Sequence, residues 1–401
     1  MDGIRLGPLA DLRVIDCGTL LAGPMIATYL ADFGADVIKV EHPRGDPLRS
    51  FGWQRDGVAA WWLTAGRNKR SCTIDLSRPA GADLLLELAR DADVLIESFR
   101  PGTLERWSLG YERLAEANPA LILVRVSGFG QSGPYRHRPG FGTLAEAMSG
   151  IASVLGYPDR PPIVPPFPLA DGVAALFGTF ATLAALLHRR SADAPRGQVI
   201  DVSLLESAFA FLGPHVTAYE LTGAVETRKG SRAYFSAPRN VYATRDGRWV
   251  AVSTSAQSAA NRLLEAIGRP ELVADPRFST PEGRLENADE VDRLIAEWVE
   301  QRSLADVLGE WDARGVTGAP VYTVEDLVAD EHLRERGAIV EVDDPEAGPV
   351  RMHGVFPFFS DTPGEIRHPG RPLGADNESV FIGELGHSAE DLEAWRRAGI
   401  I

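Results

Sequence analysis

The sequence is poor in cysteine and in basic side chains, and both shortages limit what the protein can be. Its 401 residues include only two cysteines, Cys17 and Cys72, which cannot by themselves form a disulfide framework or a four-ligand zinc site. Lys and Arg number 41 against 56 Asp and Glu, a net charge of −15. Because non-specific nucleic-acid binding needs a basic face, we expect no nucleic-acid partner. We expect two buried, reduced thiols and no metal site.

Signals for export or membrane insertion are also missing. Residues 1–5 lack the charged-then-apolar layout of a signal peptide. The most apolar run, residues 172–187, is shorter than the roughly 18 residues that a membrane-spanning helix requires. We therefore interpret that run as a buried core helix, and we predict a cytoplasmic protein with no membrane partner.

Common nucleotide and hydrolase motifs are absent as well. The turn at residues 17–24 lacks GxGxxG spacing and places leucines where a pyrophosphate would approach, although Glu41 ends the second strand where a ribose ligand would lie. There is no GxxxxGK[ST] loop, HExxH helix or GxSxG elbow. The sequence therefore argues against an NAD or FAD enzyme, and we expect no tightly bound cofactor.

Strand and helix patterns alternate along the first half of the chain. A helix that begins near Pro24 and ends at Gly34 separates two strand patterns, at 12–16 and 35–41. Further strand patterns lie at 71–76, 93–97, 121–127 and 198–202, and further helical patterns at 80–90, 112–117 and 172–187. Ser203 and Glu206 form a capping-box pattern that opens another helix. This alternation predicts an α/β fold with a mostly parallel sheet.

The pattern changes after residue 221. Residues 222–240 are rich in Gly, Lys, Arg and Ser, typical of a linker or mobile loop, and a strand at 248–253 and helices at 256–267 and 289–301 follow. We predict a large domain over residues 1–221, a linker and smaller α+β domain over 222–330, and a C-terminal segment, 331–401, that returns to the large domain.

Asp171 is the first candidate for chemistry. It follows a proline-rich stretch and immediately precedes the apolar helix pattern. An aspartate there is either a plain N-cap or a carboxylate that free N–H groups orient for nucleophilic attack. The residues alone leave both interpretations open.

Two loops and a set of basic residues are further candidates. Residues 97–102 and the glycine-rich 128–134 follow strands, where doubly wound sheets bind ligands. Basic residues near strand ends could form a phosphate pocket, with solvated surface charge as the alternative for each: Lys69, Arg70, Arg100, Arg106, Arg136 and Arg138.

Taken in order, these motifs resemble those of the family III CoA-transferases, which include formyl-CoA transferase, carnitine CoA-transferase and the α-methylacyl-CoA racemases. The resemblance runs almost end to end. It rests on residues 21–24 (LAGP), 34–41 (GADVIKVE), 68–71 (NKRS), 97–102 (ESFRPG), 128–134, 170–172 (ADG) and 197–203.

The resemblance implies a Rossmann-like large domain and a small domain in an interlocked homodimer. It implies that Asp171 is a nucleophile that captures the acyl group of an acyl-CoA donor as a mixed anhydride and then carries CoA as an aspartyl thioester to a carboxylic acid acceptor. It also implies contacts with CoA from Leu21, Ala22, His42, Ile74, Ser98, Phe99, Arg100, Arg106, Arg138 and Phe141.

At some positions this sequence differs from individual members of the family, and these differences exclude some of the family's activities. The racemases carry a His-Asp pair where this chain has Phe141 and Gly142, neither of which can transfer a proton. Leu21 replaces a glutamine of formyl-CoA transferase, and His42 stands where that enzyme has an arginine. We therefore predict an acyl-CoA:carboxylate CoA-transferase, with residues 140–150 favouring succinyl-CoA or another dicarboxylic partner. The alternatives are a racemase or isomerase and a non-catalytic CoA-binding paralogue.

Overall fold

The computed structural model describes residues 7–192 and 195–401, so the pattern at residues 1–5 lies outside the described part. The strands are β1 (Arg13–Asp16), β2 (Asp36–Glu41), β3 (Gln54–Arg55), β4 (Val58–Ala59), β5 (Lys69–Thr73), β6 (Val94–Glu97), β7 (Ile122–Ser127), β8 (Val199–Ser203), β9 (Arg239–Ala243), β10 (Trp249–Ser253), β11 (Gly318–Pro320), β12 (Ile339–Asp344) and β13 (Gly348–His353). The α-helices are α1 (Ala22–Asp32), α2 (Ala60–Ala65), α3 (Pro79–Ala89), α4 (Thr103–Arg106), α5 (Tyr111–Ala117), α6 (Gly142–Met148), α7 (Ile151–Val154), α8 (Leu169–Ser191), α9 (Leu204–Phe211), α10 (His215–Thr222), α11 (Gln257–Ala266), α12 (Pro281–Glu286), α13 (Ala288–Val299), α14 (Leu304–Arg314), α15 (Val324–Ala329), α16 (Glu331–Glu335) and α17 (Ala389–Ala398). Pro47–Ser50 and Pro270–Ala274 form 3₁₀ helices, and Ser379–Glu384 forms a π-helix.

The chain divides into two compact units. The first contains Met1–Ile151, Pro165–Gly213 and Glu331–Ile401, and the second contains Ala152–Val164 and Pro214–Asp330. Residues 152–164 and 214–221 therefore group with the second unit, whereas the sequence placed them in the large domain.

A six-stranded parallel sheet forms the centre of the first unit, in the order β5-β2-β1-β6-β7-β8. Side chains on both faces of the sheet are buried, as expected for parallel strands covered by helices. Val14 belongs to the hydrophobic cluster that includes Ile26 of α1 and Ala174 of α8, while Ile15 belongs to the opposite cluster with Leu85 of α3 and Phe381. The predicted α/β fold with a mostly parallel sheet is confirmed.

Helix α8 is longer than the apolar run that predicted it. Its 23 residues are long and apolar enough to cross a membrane by length and composition, although 44% of its most apolar window is buried inside the protein. One face packs against α1, α6 and α9. The other face presents Leu176, Phe180 and Leu187, whose exposed fractions are 55%, 72% and 70%. The prediction of a buried core helix is therefore correct for one face only.

The second unit has its own core. Strands β9, β10 and β11 form an antiparallel sheet in the order β11-β10-β9. Val250 packs with Phe278 and Trp311 in a cluster to which α11, α13 and α14 also contribute. The segment predicted as a linker or loop, residues 222–240, runs from the end of α10 to the start of β9.

The predictions for the two cysteines are confirmed, and the capping box predicted for Ser203 and Glu206 is present in its Ser203 half. Cys17 and Cys72 are free and buried, and burial raises the pKa of both thiols above its usual range. Ser203 caps α9, because its side-chain oxygen accepts the Glu206 N–H at 3.3 Å.

Candidate active site

Asp171 is the third residue of α8. The sequence had placed it immediately before the helix. The N-cap position is taken by Pro168, which provides no side-chain cap. Phe167 and Pro168 supply backbone oxygens to the N–H groups of Leu169 and Gly172, at 2.8 and 3.0 Å. Asp171 is thus not an N-cap residue, but its carboxylate still lies in the first helical turn, where the helix dipole favours negative charge.

Helix α6 brings Gly142 against this carboxylate and Glu146 against the backbone of the preceding residue, Ala170. Gly142 and Glu146 are four positions apart, so they lie on the same face of α6. A β-carbon on Gly142 would lie only 2.0 Å from the Oδ2 atom of Asp171, far closer than two non-bonded atoms can approach. Glu146 is 1% exposed, and its Oε1 accepts the N–H of Ala170 at 3.0 Å. The nucleophile predicted from sequence is therefore held between the start of α8 and one face of α6.

This environment changes the acidity of Asp171. Burial, followed by the negative charge of Glu146, raises the pKa of the Asp171 carboxyl from 3.8 to about 6. The backbone N–H of Asp171 acts in the opposite direction. At neutral pH the carboxyl is still mainly ionised, and it is more basic than an exposed aspartate. An ionised carboxylate of raised basicity is suited to attack an electrophilic carbonyl carbon.

Sequence reasoning missed both partners of Asp171. Phe141 was predicted to contact CoA; it is exposed and takes the N-cap position of α6. Gly142 was noted only for lacking a proton-transfer group. The available signal was the four-residue spacing of Gly142 and Glu146, which is informative only once residues 142–148 are known to be helical.

A cavity of about 500 Å³ opens in the same unit, outside the carboxyl ends of the parallel strands. This is the edge at which doubly wound sheets bind their ligands. Its lining includes Gly18 and Thr19 after β1, His42 after β2, Ile74 and Asp75 after β5, Phe99 after β6, and Trp107.

The structure brings together three of the ten predicted CoA contacts, because His42, Ile74 and Phe99 all line this cavity. Ser98 adjoins it through a hydrogen bond, in which the Thr19 N–H donates to Ser98 Oγ at 2.7 Å. The side chains of Leu21 and Ala22 are instead buried in the hydrophobic core.

The remaining predicted contacts are exposed and lie outside the cavity lining. Arg100 follows β6, and Arg106 donates to Gly102 O at 3.2 Å and Thr103 Oγ1 at 2.9 Å. The Arg138 guanidinium lies over the Tyr135 ring, 3.9 Å from its centroid. These arginines are available to a ligand, and their contact with CoA stays a prediction.

Two of the basic residues proposed for phosphate binding have structural partners instead. Lys69 is fully buried, and its Nζ donates to Asp16 Oδ2 at 2.9 Å and to Pro24 O at 2.7 Å. Arg70 pairs with Asp36 at 2.7 Å and also with Glu384. The phosphate-pocket prediction is wrong for Lys69 and Arg70, because β5 pairs with β2 and places them beside carboxylates of the sheet.

A buried ionic network lies beneath the turn at residues 17–21. Lys39 Nζ is 3.2 Å from Asp46 Oδ2 and 3.8 Å from Asp16 Oδ2, and it also donates to Gly18 O. Asp46 Oδ1 accepts the N–H of Leu20 at 3.2 Å, and Leu20 has a φ of 61°. The network therefore fixes the backbone that borders the cavity.

The glycine-rich loop at residues 128–134 supports the segment before α6, and its predicted contact with a ligand stays a prediction. A β-carbon on Gly128 would approach Gly140 Cα to 2.8 Å, so the two backbones meet closely. The Gln131 N–H donates to Asp201 Oδ2 at 2.8 Å. Within residues 7–192 and 195–401, no three His, Cys, Asp or Glu side chains group in a way that could hold a metal ion.

Proteins similar in sequence to this chain are named as CoA-transferases. The profile described as CoA-transferase family III matches residues 9–377. A succinyl-CoA–D-citramalate CoA-transferase of Chloroflexus aurantiacus is 43% identical over 387 residues, which is 96% of this chain and 96% of the relative. The beta subunit of a succinyl-CoA–L-malate CoA-transferase from the same organism is 41% identical, covering 100% of both chains. The crystal structure of a CAIB/BAIF family protein from Brucella suis matches with a TM-score of 0.84 at 31% identity, covering 94% of this chain and 99% of that one.

Proposed function

Because the chain belongs to CoA-transferase family III and is an enzyme that transfers CoA between carboxylic acids, we propose that Asp171 is its nucleophile and that a dicarboxylic acyl-CoA such as succinyl-CoA is its donor. The observation that carries the mechanism is the position of the Asp171 carboxylate, which lies in the first turn of α8 with a pKa raised to about 6 by burial and by Glu146. The donor class rests on the two relatives named for succinyl-CoA.

The proposed reaction needs no net proton transfer. An Asp171 oxygen attacks the thioester carbon of the donor, the C–S bond breaks, and its electron pair leaves with the CoA thiolate to give a mixed anhydride. The thiolate then attacks the Asp171 carbonyl carbon, which releases the donor acid and forms an aspartyl-CoA thioester. The acceptor carboxylate repeats both steps in reverse order and leaves as acyl-CoA. Covalent capture divides one difficult exchange into easier steps.

We place part of CoA in the cavity lined by His42, Ile74 and Phe99. Because the side chains of Leu21 and Ala22 are buried, their proposed contacts are made by backbone atoms. The exposed Arg100, Arg106 and Arg138 then supply positive charge to CoA phosphates, which a guanidinium binds with paired N–H donors. In this arrangement Ser98 and Phe141 contact CoA from the edges of the site.

Replacement of Asp171 tests the mechanism directly. Asp171→Ala should abolish CoA transfer from succinyl-CoA to malate or citramalate, while CoA binding changes by no more than a few fold. Hydroxylamine should trap an aspartyl thioester in the unsubstituted enzyme only. Asp312→Ala, an exposed aspartate on α14, is the matched control and should retain full transfer. Substantial transfer by the Asp171→Ala enzyme rules the proposal out.

A racemase or isomerase is the alternative enzyme. Its chemistry requires a proton donor and acceptor at the α-carbon, and Phe141 and Gly142 provide neither. Incubation of an α-methylacyl-CoA in deuterated water distinguishes the two enzymes. A transferase leaves the α-proton in place, whereas a racemase exchanges it.

We also propose an interlocked homodimer, as the family resemblance implies. The supporting observation is the outer face of α8, where Leu176, Phe180 and Leu187 are all more than half exposed in the single chain. A face this apolar is normally covered by protein. Light scattering over a dilution series should give a dimer whose dissociation coincides with unfolding. A folded, active species of 43.4 kDa overturns the proposal.

A further inference from the structure

We propose that Glu146 is a positioning residue for the nucleophile, which both caps the helix that carries Asp171 and holds a second negative charge beside it. The inference rests on the proposed role of Asp171. The family resemblance implied no role for Glu146, which lies one helical turn after Gly142 on α6.

The capping role follows from the start of α8. Ala170 is completely buried, so its N–H requires an acceptor inside the protein. Pro168, at the N-cap position, has no side-chain acceptor. Glu146 reaches across from α6 and accepts that N–H at 3.0 Å. The residue next to Asp171 is thereby fixed, and with it the direction in which the carboxylate leaves the helix.

The charge of Glu146 serves a second purpose. A glutamine would offer the same acceptor oxygen without the cost of burying a carboxylate. Among the described residues, no basic side chain forms an ion pair with Glu146. Its charge therefore acts mainly on Asp171, whose Oδ2 rests above Gly142 on the same face of α6.

The other charged side chains of the surrounding elements are paired, exposed or distant. On the helices and strands that pack against α6 and α8, Asp32 pairs with Arg67, Arg125 pairs with Glu97 and Glu105, Asp201 accepts the Gln131 N–H, Glu206 is exposed, and His188, Arg189 and Arg190 lie in the last turn of α8. Glu146 accepts the N–H of the residue before Asp171, and its charge is the one from these elements that raises the pKa of the Asp171 carboxyl.

Repulsion between the carboxylates of Glu146 and Asp171 favours the covalent intermediates. When an Asp171 oxygen bonds to the acyl carbon, the electron pair of the C–S bond departs with the thiolate and Asp171 loses its negative charge. The repulsion from Glu146 disappears in that step. The free carboxylate is raised in energy relative to the mixed anhydride, so Glu146 makes Asp171 both more basic and more reactive.

Glu146→Gln separates the two roles, because it keeps the acceptor and removes the charge. We expect a melting temperature no lower than that of the unsubstituted enzyme, because the acceptor is kept and a buried charge is removed. The acid limb of the kcat/KM profile should shift to lower pH by about one unit, and the rate at pH 8 should fall roughly 3-fold, since a less basic carboxylate is a weaker nucleophile. Glu116→Gln, on the exposed face of α5, makes the same change in net charge and should leave the profile unaltered.

Glu146→Ala removes both the acceptor and the charge. Its acid limb should shift as in Glu146→Gln, while its melting temperature and kcat fall below those of the glutamine variant. An unshifted acid limb in Glu146→Gln overturns the charge role, and an alanine variant as stable as the glutamine variant overturns the capping role. These outcomes differ from failure of the proposed function, which would appear as transfer activity retained by the Asp171→Ala enzyme.

Discussion

The Oδ2 atom of Asp171 lies in the space that a β-carbon on residue 142 would fill, so only a glycine at that position admits the observed carboxylate. Gly142 is the first residue of α6, and its φ is not positive. The backbone would therefore accept another residue without strain. The need for glycine at position 142 arises from the neighbouring helix and not from α6 itself.

Gly142→Ala should consequently separate activity from stability. Alanine favours a helix over glycine by about 0.5–1 kcal/mol, so we expect no loss of melting temperature. The added methyl group displaces the Asp171 carboxylate, and we expect kcat to fall by at least about 10-fold. Gly309→Ala, within α14 and with open space at its β-position, is the control that should keep full activity. A fully active Gly142→Ala enzyme would show that the observed carboxylate position is not required.

Transfer activity should rise with pH through the pKa of Asp171. That pKa is raised to about 6 by burial and by Glu146, and only the ionised carboxylate attacks. We expect kcat/KM to reach half its plateau near pH 6 and to fall tenfold for each further unit of acidification. The measurement is a profile from pH 4.5 to 8.5 in buffers of constant ionic strength. A half-maximum near pH 4 would show that the pKa of Asp171 is not raised.

The same shift predicts how stability depends on pH. A carboxyl whose pKa is higher in the folded state contributes stability below its unfolded value of 3.8 and loses it as the pH rises through about 6. Asp171→Asn should therefore increase the free energy of unfolding at pH 8 by about 1–3 kcal/mol, a gain that shrinks as the pH falls towards 4. Urea titrations of both proteins at pH 5 and pH 8 measure this difference. An equal gain at both pH values would assign it to packing instead of charge.

The ionic network around Asp16 should be much more important for folding than a surface pair. Asp16 is completely buried and lies 2.9 Å from Lys69 Nζ and 3.8 Å from Lys39 Nζ. Asp16→Asn removes a negative charge that balances the two buried lysines. We expect the free energy of unfolding, measured in urea, to fall by about 3–5 kcal/mol. Asp83→Asn, which breaks an exposed pair with Arg113, serves as the comparison and should change stability far less. Similar losses in the two variants would contradict this account.

Most of the sheet was predictable from the sequence because strands such as β6 and β7 are mainly apolar and are separated by helix signals. Strand β5, with the sequence KRSCT, is not such a run, and it spans residues 69–73 where the sequence predicted 71–76. The strands predicted at 12–16 and 35–41 are β1 and β2, which end at Asp16 and Glu41 as predicted and begin one residue later than predicted. Such patterns are local, since a parallel strand buried on both faces is apolar throughout its length.

The residues around Asp171 could not be found in this way. Gly142 and Glu146 meet the start of α8 only because α6 and α8 pack together, and neither residue has a local signature of that contact. Lys69 shows the same limit. Its charge is evident from the sequence, but the carboxylate of Asp16, 53 positions away, decides that the charge is structural.

The edge of the parallel sheet is completed by residues from the far end of the chain. Strand β5 is an edge strand, and side chains of Asp376 and Asn377 accept its Ser71 and Thr73 N–H groups. Phe381 and Ile401 fill the cluster beneath it. Because the ribosome delivers the chain from its N-terminus, the whole of the second unit is synthesised before this edge can close. Until then β5 lacks these hydrogen-bond acceptors and the cluster beneath it lacks two of its side chains, so the incomplete edge is a site at which a partly synthesised chain can associate with another.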